Sequence, residues 1–156
     1  SFYDQVVMPD GCEIRDRRHS IPLRSNHCDL EKQLRWFYEM CSYYENDDAI
    51  FVHAGLVHEK PEENSLHDLI WDREMAHGRQ YDGKLVIFGH TETEEVTYRS
   101  PDSTKLQLLP GETYELPKQG CINMDTGCVY GQKLSALVIE NGTIRVYQES
   151  HGEHIS

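Results

Sequence analysis

The sequence predicts an α/β domain, and three observations carry that prediction. Three short apolar runs, at 49–52, 84–88 and 121–124, each lead into a turn that contains glycine. Apolar residues between 30 and 44 recur at helical spacing. Beyond residue 120 the chain reads as strands and turns alone, closing on an Asn-Gly pair, the strongest short hairpin signal.

The elements follow in order. Residues 1–28 form a lead-in with little pattern: Pro9-Asp10-Gly11 signals a turn, and Arg15-Asp16-Arg17-Arg18 is a short charged run. A helix comes next, capped by Asn26 or Asp29 and running to about Tyr44. Leu30, Leu34, Phe37, Met40, Cys41 and Tyr44 would be its buried stripe. Glu45-Asn46-Asp47-Asp48 is a polar turn into the strand at 49–52. Ser65, with Asp68 three residues on, resembles a capping pair for a short helix through Trp71, Arg73 and Met75. Asp82-Gly83 turns into the strand at 84–88. The polar stretch 92–118 contains Pro101, Pro110, Gly111 and Pro117, which predicts a long excursion holding one or two short strands, such as 106–109. A strand at 121–124 ends in Asp125-Thr126-Gly127. Strands at 133–139 and 143–148 then pair about Glu140-Asn141-Gly142.

Bulk composition narrows the function. A chain of 156 residues suits one domain with a real core. A hydrophobic fraction of 38% with 27% charged residues fits a globular protein and not extended disorder. No apolar stretch approaches the roughly 20 residues of a membrane helix. No signal peptide opens the chain, and it begins at Ser1, so the expectation is a processed or partial polypeptide. A net charge of −12 disfavours a general nucleic-acid or anionic-membrane binder, because phosphates are repelled over most of the surface. Local phosphate binding through a metal ion or one arginine stays open. The five cysteines, Cys12, Cys28, Cys41, Cys121 and Cys128, form no Cys-x-x-Cys pair. They read as reduced thiols of a cytoplasmic protein, with neither a zinc ribbon nor a redox motif.

Two histidines carry the chemistry. His53 ends Ile50-Phe51-Val52-His53-Ala54-Gly55, and His90 lies in Val86-Ile87-Phe88-Gly89-His90-Thr91. Each sits where a strand yields to a glycine-containing turn, the sheet edge at which ligands collect. Neutral imidazole is a common ligand for divalent transition metals. The two are far apart in sequence, so only adjacent strands ending at one edge bring them together. A lone strand-end histidine is more often just hydrogen-bonded; two in matching contexts favour a metal site.

Four segments then occur in order: His53-Ala54-Gly55-Leu56, Trp71-Asp72-Arg73-Glu74, Gly89-His90-Thr91 and Asp125-Thr126-Gly127-Cys128-Val129-Tyr130-Gly131. As an ordered set, together with Lys133-Leu134-Ser135-Ala136-Leu137, they resemble the C-terminal half of a calcineurin-like metallophosphoesterase. The bacterial serine/threonine protein phosphatase and diadenosine tetraphosphatase group is the branch they resemble most. The resemblance covers roughly residues 34 to 148. It implies two packed mixed β-sheets flanked by helices, of which this chain is a single partial domain spanning 1–156. It implies a hydrolase acting on a phosphorylated protein or a small phosphoester with two divalent metal ions. Manganese is the first expectation for those ions, and iron, zinc or nickel are alternatives. It assigns His53 and His90 to one of the two metals and Arg73 to the substrate phosphate. Asp125 reads as a turn residue or as a carboxylate that orients a ligand, with the turn preferred. Asp-Thr-Gly also occurs in aspartic proteases, but that reading needs a second copy and a flap and leaves both histidines unexplained.

The same resemblance shows what the chain lacks. The family's Asp-x-His, Gly-Asp-x-x-Asp-Arg-Gly and Gly-Asn-His-Glu/Asp motifs all precede its His-Ala-Gly, and none occurs here. Ser25-Asn26-His27-Cys28 lacks the glycine and the acidic residue and lies too close to His53, so a helix cap at Asn26 explains it better. The expectation is therefore a metal-dependent phosphoesterase whose N-terminal half is a missing partner, with this chain inactive alone. The alternatives are a catalytically inactive interaction module, or a site completed by a separate N-terminal polypeptide.

Overall fold

The computed structural model describes residues 39–150. The chain divides between Met40 and Cys41, and the fold below is that of the second part. Nine strands and two α-helices are described: β1 Tyr43–Glu45, β2 Ile50–Val52, α1 Leu66–Trp71, α2 Glu74–His77, β3 Val86–Phe88, β4 Thr97–Arg99, β5 Lys105–Gln107, β6 Thr113–Glu115, β7 Cys121–Asn123, β8 Lys133–Glu140 and β9 Thr143–Ser150, with short 3-10 turns at Pro61–Glu63 and Cys128–Tyr130. Two sheets result. The first is six-stranded and mixed, in the order β1-β2-β3-β7-β4-β5; the second is three-stranded, in the order β6-β9-β8.

The centre of the first sheet explains the three apolar runs. β2 pairs with β3, and β3 with β7, all parallel. Parallel strands are covered on both faces, so their sequences run apolar without alternation. β3 and β7 are buried at every residue, and β2 at two of three. One face packs Leu85, Ile87 and Ile122 against Ile144 and Val146 of the second sheet. The other packs Ile50, Val86 and Phe88 against Leu56, Leu69 and Met75 of the helical layer. The result is a layer of short helices, a sheet and a second sheet.

Local chemistry sets the ends. Ser65 and Asp68 form the expected capping box: the Ser65 hydroxyl accepts the Asp68 amide while the Asp68 carboxylate accepts the Ser65 amide. The hairpin turns on Asn141 at φ 52° and Gly142 at φ 71°. Two successive positive-φ residues match the right-handed twist of the flanking strands, and Asn-Gly is the pair that adopts them most readily. The hairpin register then runs unbroken from Glu140↔Thr143 to Lys133↔Ser150.

Several expectations change. The helix foreseen to Tyr44 lies mostly outside the described residues, together with Leu30, Leu34 and Phe37. Its foreseen end is instead strand β1, whose three residues pair antiparallel with β2. Met40, Cys41 and Tyr44 are exposed, so they form no buried stripe. The helix foreseen through Arg73 is two helices, broken at Asp72 (φ −59°, ψ 133°). The excursion 92–118 holds three strands, β4, β5 and β6, two of which extend the first sheet. Their polar faces gave no apolar alternation to read.

Truncating the shared face tests this arrangement. Ile122 is fully buried between the sheets, so Ile122→Ala should lower unfolding stability by about 2–5 kcal/mol. Leu134→Ala, at a 61% exposed position, should stay within about 0.5 kcal/mol. Urea denaturation followed by circular dichroism measures both.

Candidate metal centre

β2, β3 and β7 end at one edge, and the candidate residues collect there. His53 directly follows β2, His90 follows β3 by two residues, and Asp125 follows β7 by two. The carboxyl edge of parallel strands is where α/β sheets bind ligands. His53 Nε2 and His90 Nδ1 lie 3.1 Å apart, and the Gly89 amide donates to the His53 carbonyl at 2.9 Å.

The backbone at His90 is strained. Its φ is 68°, and the Thr91 amide closes a three-residue turn by donating to the Gly89 carbonyl at 2.8 Å. This is the rare form of the γ-turn, which ordinary side chains avoid. Histidine tolerates positive φ better than most residues but still at a cost on the order of 1–3 kcal/mol. Strain of this kind persists only where the surroundings enforce it. Here it coincides with the close approach of the His90 ring to His53.

The surroundings lower the His90 pKa. Burial lowers its pKa first; the neighbouring His53 and the Arg73 guanidinium lower it further, while Asp125 opposes them. The His90 Nε2 atom is buried with no hydrogen-bond partner among the described residues. If Nδ1 accepts from His53, Nε2 is an orphan donor; if Nδ1 donates, Nε2 is an orphan acceptor. The contact between the two rings thus leaves one polar atom unsatisfied in either tautomer.

The remaining candidates are placed by the helix break. Asp72 Oδ2 accepts the Met75 amide at 3.0 Å, and Oδ1 accepts from Arg79 Nη2 at 2.9 Å. Arg79 Nη1 also donates to the Leu56 carbonyl at 3.0 Å. This brace, with an Asp72 side chain only 6% exposed, fixes the kink that carries Arg73. Gly55 is required beside it, because a Cβ there would meet Asp72 Oδ2 at 2.8 Å and Met75 Cβ at 3.0 Å. Arg73 is exposed, and its side chain has no hydrogen-bond or ion-pair partner among the described residues. Trp71 meets the His90 ring edge-on at 5.4 Å. Asp125 closes its own turn, with Oδ1 accepting the Gly127 amide at 3.0 Å.

An open hollow of about 400 Å³ lies over the pair, lined by His53, His90, Asp125, Cys128, Lys133 and Ser135 among others. A larger one of about 800 Å³ lies beside α2 and contains neither histidine. Of the residues singled out in the sequence, His53 and His90 lie together and Arg73 sits at the helix break. Sequence reasoning missed the Asp72–Arg79 brace and the contact of Trp71 with His90, since neither has a spacing that announces it.

The donor set can be tested against a metal ion. Two nitrogens bound to one ion at about 2.0–2.1 Å, at ordinary coordination angles, stand roughly 3–3.4 Å apart. The observed 3.1 Å fits. A neutral imidazole is the metal-binding form, and the lowered pKa of His90 favours it. The set is nonetheless partial: among the described residues no group of three or more His, Cys, Asp or Glu side chains is placed to hold an ion.

Comparison with known proteins agrees with this geometry at the level of fold. No protein-family model matches the sequence, and no curated protein does. Among solved structures, a metallophosphoesterase from Sphaerobacter thermophilus is similar, with a TM-score of 0.54 and 16% identity over 78% of this chain. The fold of the described residues is similar to part of the fold of that metallophosphoesterase. The match covers 53% of the Sphaerobacter chain, so the present chain spans about half the length of its structural neighbour. Among the described residues no helix is long and apolar enough to cross a membrane.

The ring environment makes a solution prediction. In the folded chain the His90 imidazole titrates below the ordinary histidine value of about 6.5, and Arg73→Ala should move its midpoint upward. Two-dimensional NMR across pH 4–8 reads both. Because the folded form binds its proton less readily than the unfolded form, this group stabilises the fold above the unfolded pKa. That contribution is lost as pH falls through the lower, folded value. A midpoint at or above that of free histidine would contradict the burial.

Proposed function

We propose that this chain carries one part of the active site of a metal-dependent phosphoesterase of the phosphoprotein phosphatase type. The observation that carries the reading is the 3.1 Å approach of His53 Nε2 to His90 Nδ1 at the carboxyl ends of adjacent parallel strands. The strained backbone at His90 and the metallophosphoesterase fold support it. The complete centre holds two divalent ions, manganese first among the candidates, and His53 and His90 serve one of them. When bound, such ions lower the pKa of a coordinated water and neutralise charge on phosphoryl oxygens.

The chain's own residues have distinct tasks. His53 and His90 present ring nitrogens, and burial lowers the His90 pKa. Arg73 projects from a fixed kink near His90 and offers a planar fork to two phosphate oxygens, which lysine would not match. The Asp72–Arg79 pair holds that kink. The substrate class is a phosphorylated protein or a small phosphoester. Remaining ligands come from the N-terminal part of the domain, in the same polypeptide or in trans. The free cysteines Cys41, Cys121 and Cys128 suit a reducing, cytoplasmic setting.

A second reading is an interaction module that keeps the fold without the chemistry. The family motifs that this sequence lacks are what suggest it. The two separate by assay of the longest gene product containing these residues. His53→Ala and His90→Ala should each abolish manganese-dependent hydrolysis of p-nitrophenyl phosphate. Arg73→Ala should lower kcat/KM by about 10- to 100-fold, the loss of one charge-assisted phosphate contact. The 156-residue chain alone should show no turnover. Activity retained in either histidine variant removes the ligand assignment. A folded, inactive gene product that binds no manganese establishes the module instead.

A further inference from the structure

An asparagine interrupts the third apolar run. Cys121-Ile122-Asn123-Met124 otherwise reads as a strand buried on both faces, and asparagine is depleted in strands. Asn123 ends β7 and is itself buried, at 9% exposure. A buried amide destabilises the fold unless its donor and its acceptor are both used, so its partners explain its presence.

Both partners are found, and they differ in kind. Asn123 Nδ2 donates to the Thr91 carbonyl at 2.8 Å. Asn123 Oδ1 accepts the Asp125 amide at 3.1 Å. One partner is an acceptor and the other a donor, which fixes the way the side-chain amide faces. Aspartate would set an oxygen against the Thr91 carbonyl, and leucine would serve neither group. Thr91 is thereby held at both of its main-chain polar groups, because its amide already closes the turn onto the Gly89 carbonyl. That turn is the one that sets His90 at positive φ.

Two further ties join the same segments. The Met124 amide donates to the Phe88 carbonyl at 2.9 Å, and the Thr93 amide donates to the Asp125 carbonyl at 2.8 Å. Any residue but proline supplies such main-chain donors, whereas the Asn123 bond depends on residue type. The pairing of β3 with β7 sets Asn123 beside Phe88, so its side chain meets the chain just beyond β3. Asn123 lines the larger hollow beside α2 and not the hollow over the histidines. It reaches His90 through the main chain.

We propose that Asn123 is a positioning residue for His90: its amide holds the Thr91 carbonyl and so keeps the turn that brings His90 Nδ1 to His53 Nε2. The placement of the ring stands on these hydrogen bonds alone. Its consequence for an ion rests on the metal-centre reading above.

NMR of the 156-residue chain tests the placement without a metal. A residue at positive φ holds its amide proton close to its own Hα, so His90 should show a strong cross-peak between the two. Asn123→Asp keeps the shape and the acceptor but removes the donor. That variant and Asn123→Ala should weaken the cross-peak severalfold, together with the contacts between the His53 and His90 rings, whose centres stand 5.0 Å apart. Val146→Ala, which opens space in the core between the sheets, should lower unfolding stability and leave both signals in place. In the unmodified chain one Asn123 side-chain amide proton should exchange slowly, a measurement that needs no variant to fold. In the longest gene product, Asn123→Asp should weaken manganese binding, read by electron paramagnetic resonance, by about 10- to 100-fold. Unchanged His90 cross-peaks in both Asn123 variants overturn the proposal, as does their equal loss in Val146→Ala or free exchange of the Asn123 amide. A relaxed turn with manganese binding intact keeps Asn123 as the holder of the turn and removes His90 as a ligand. Absence of manganese binding in the unaltered gene product removes the metal-centre reading, while the cross-peaks still decide the placement.

Discussion

The parallel pairing of β2 with β3 is the constraint on which the rest depends. Its register, Ile50↔Val86 and Phe51↔Ile87, brings the two strand ends level. A one-residue slip would turn every side chain of one strand to the opposite face. Core packing forbids that slip. Ile50 and Val86 point to the helical layer and Ile87 to the second sheet, so the wrong register would bury no complementary surface. The Gly89 amide then ties β3's exit to the His53 carbonyl. Placement of the imidazoles is thus a consequence of apolar burial, with the strained turn at His90 adding the last rotation.

The helical layer performs a second, separable task. α1 and α2 are six and four residues long, too short to be stable by propensity alone. They persist because Leu69 and Met75 are buried against the sheet and because Asp72 and Arg79 close the space between them. Leu69 also accepts the Ala54 amide at 2.9 Å, so the turn after His53 and the end of α1 are one unit. That linkage explains why a half-buried ion pair sits so near an exposed arginine. The brace binds no phosphate itself but decides where Arg73 begins.

The sequence disclosed most of this where residues are periodic or conformationally restricted. The double-sided burial of β3 and β7 appears as uninterrupted apolar runs. Ser65 with Asp68, and Asn141 with Gly142, have few other uses. β4, β5 and β6 stayed hidden because Lys105 and Gln107 are exposed and Thr97 only half-buried, so neither alternation nor an apolar run marks them. Their pairing is dictated by β7 and β9, which lie far off in sequence. The break at Asp72 was equally illegible, because Trp71-Asp72-Arg73-Glu74 is compatible with a helix by propensity. Only the partner Arg79 and the crowding at Gly55 force the kink. At the site, residue types marked His53 and His90 as candidate ligands, while the register that brings their rings within 3.1 Å has no signature in their spacing.

The strand pairing leaves a deficit in place at its own edge. The His90 backbone is held at a positive φ, and its buried Nε2 has no hydrogen-bond partner among the described residues. Strain and an unsatisfied polar atom persist only where the surroundings over-determine them. Here the surroundings are the register of β2 with β3 and the Gly89 amide on the His53 carbonyl. Apolar burial therefore sets the geometry of the two imidazoles, and it does so at the cost of one polar atom left without a partner.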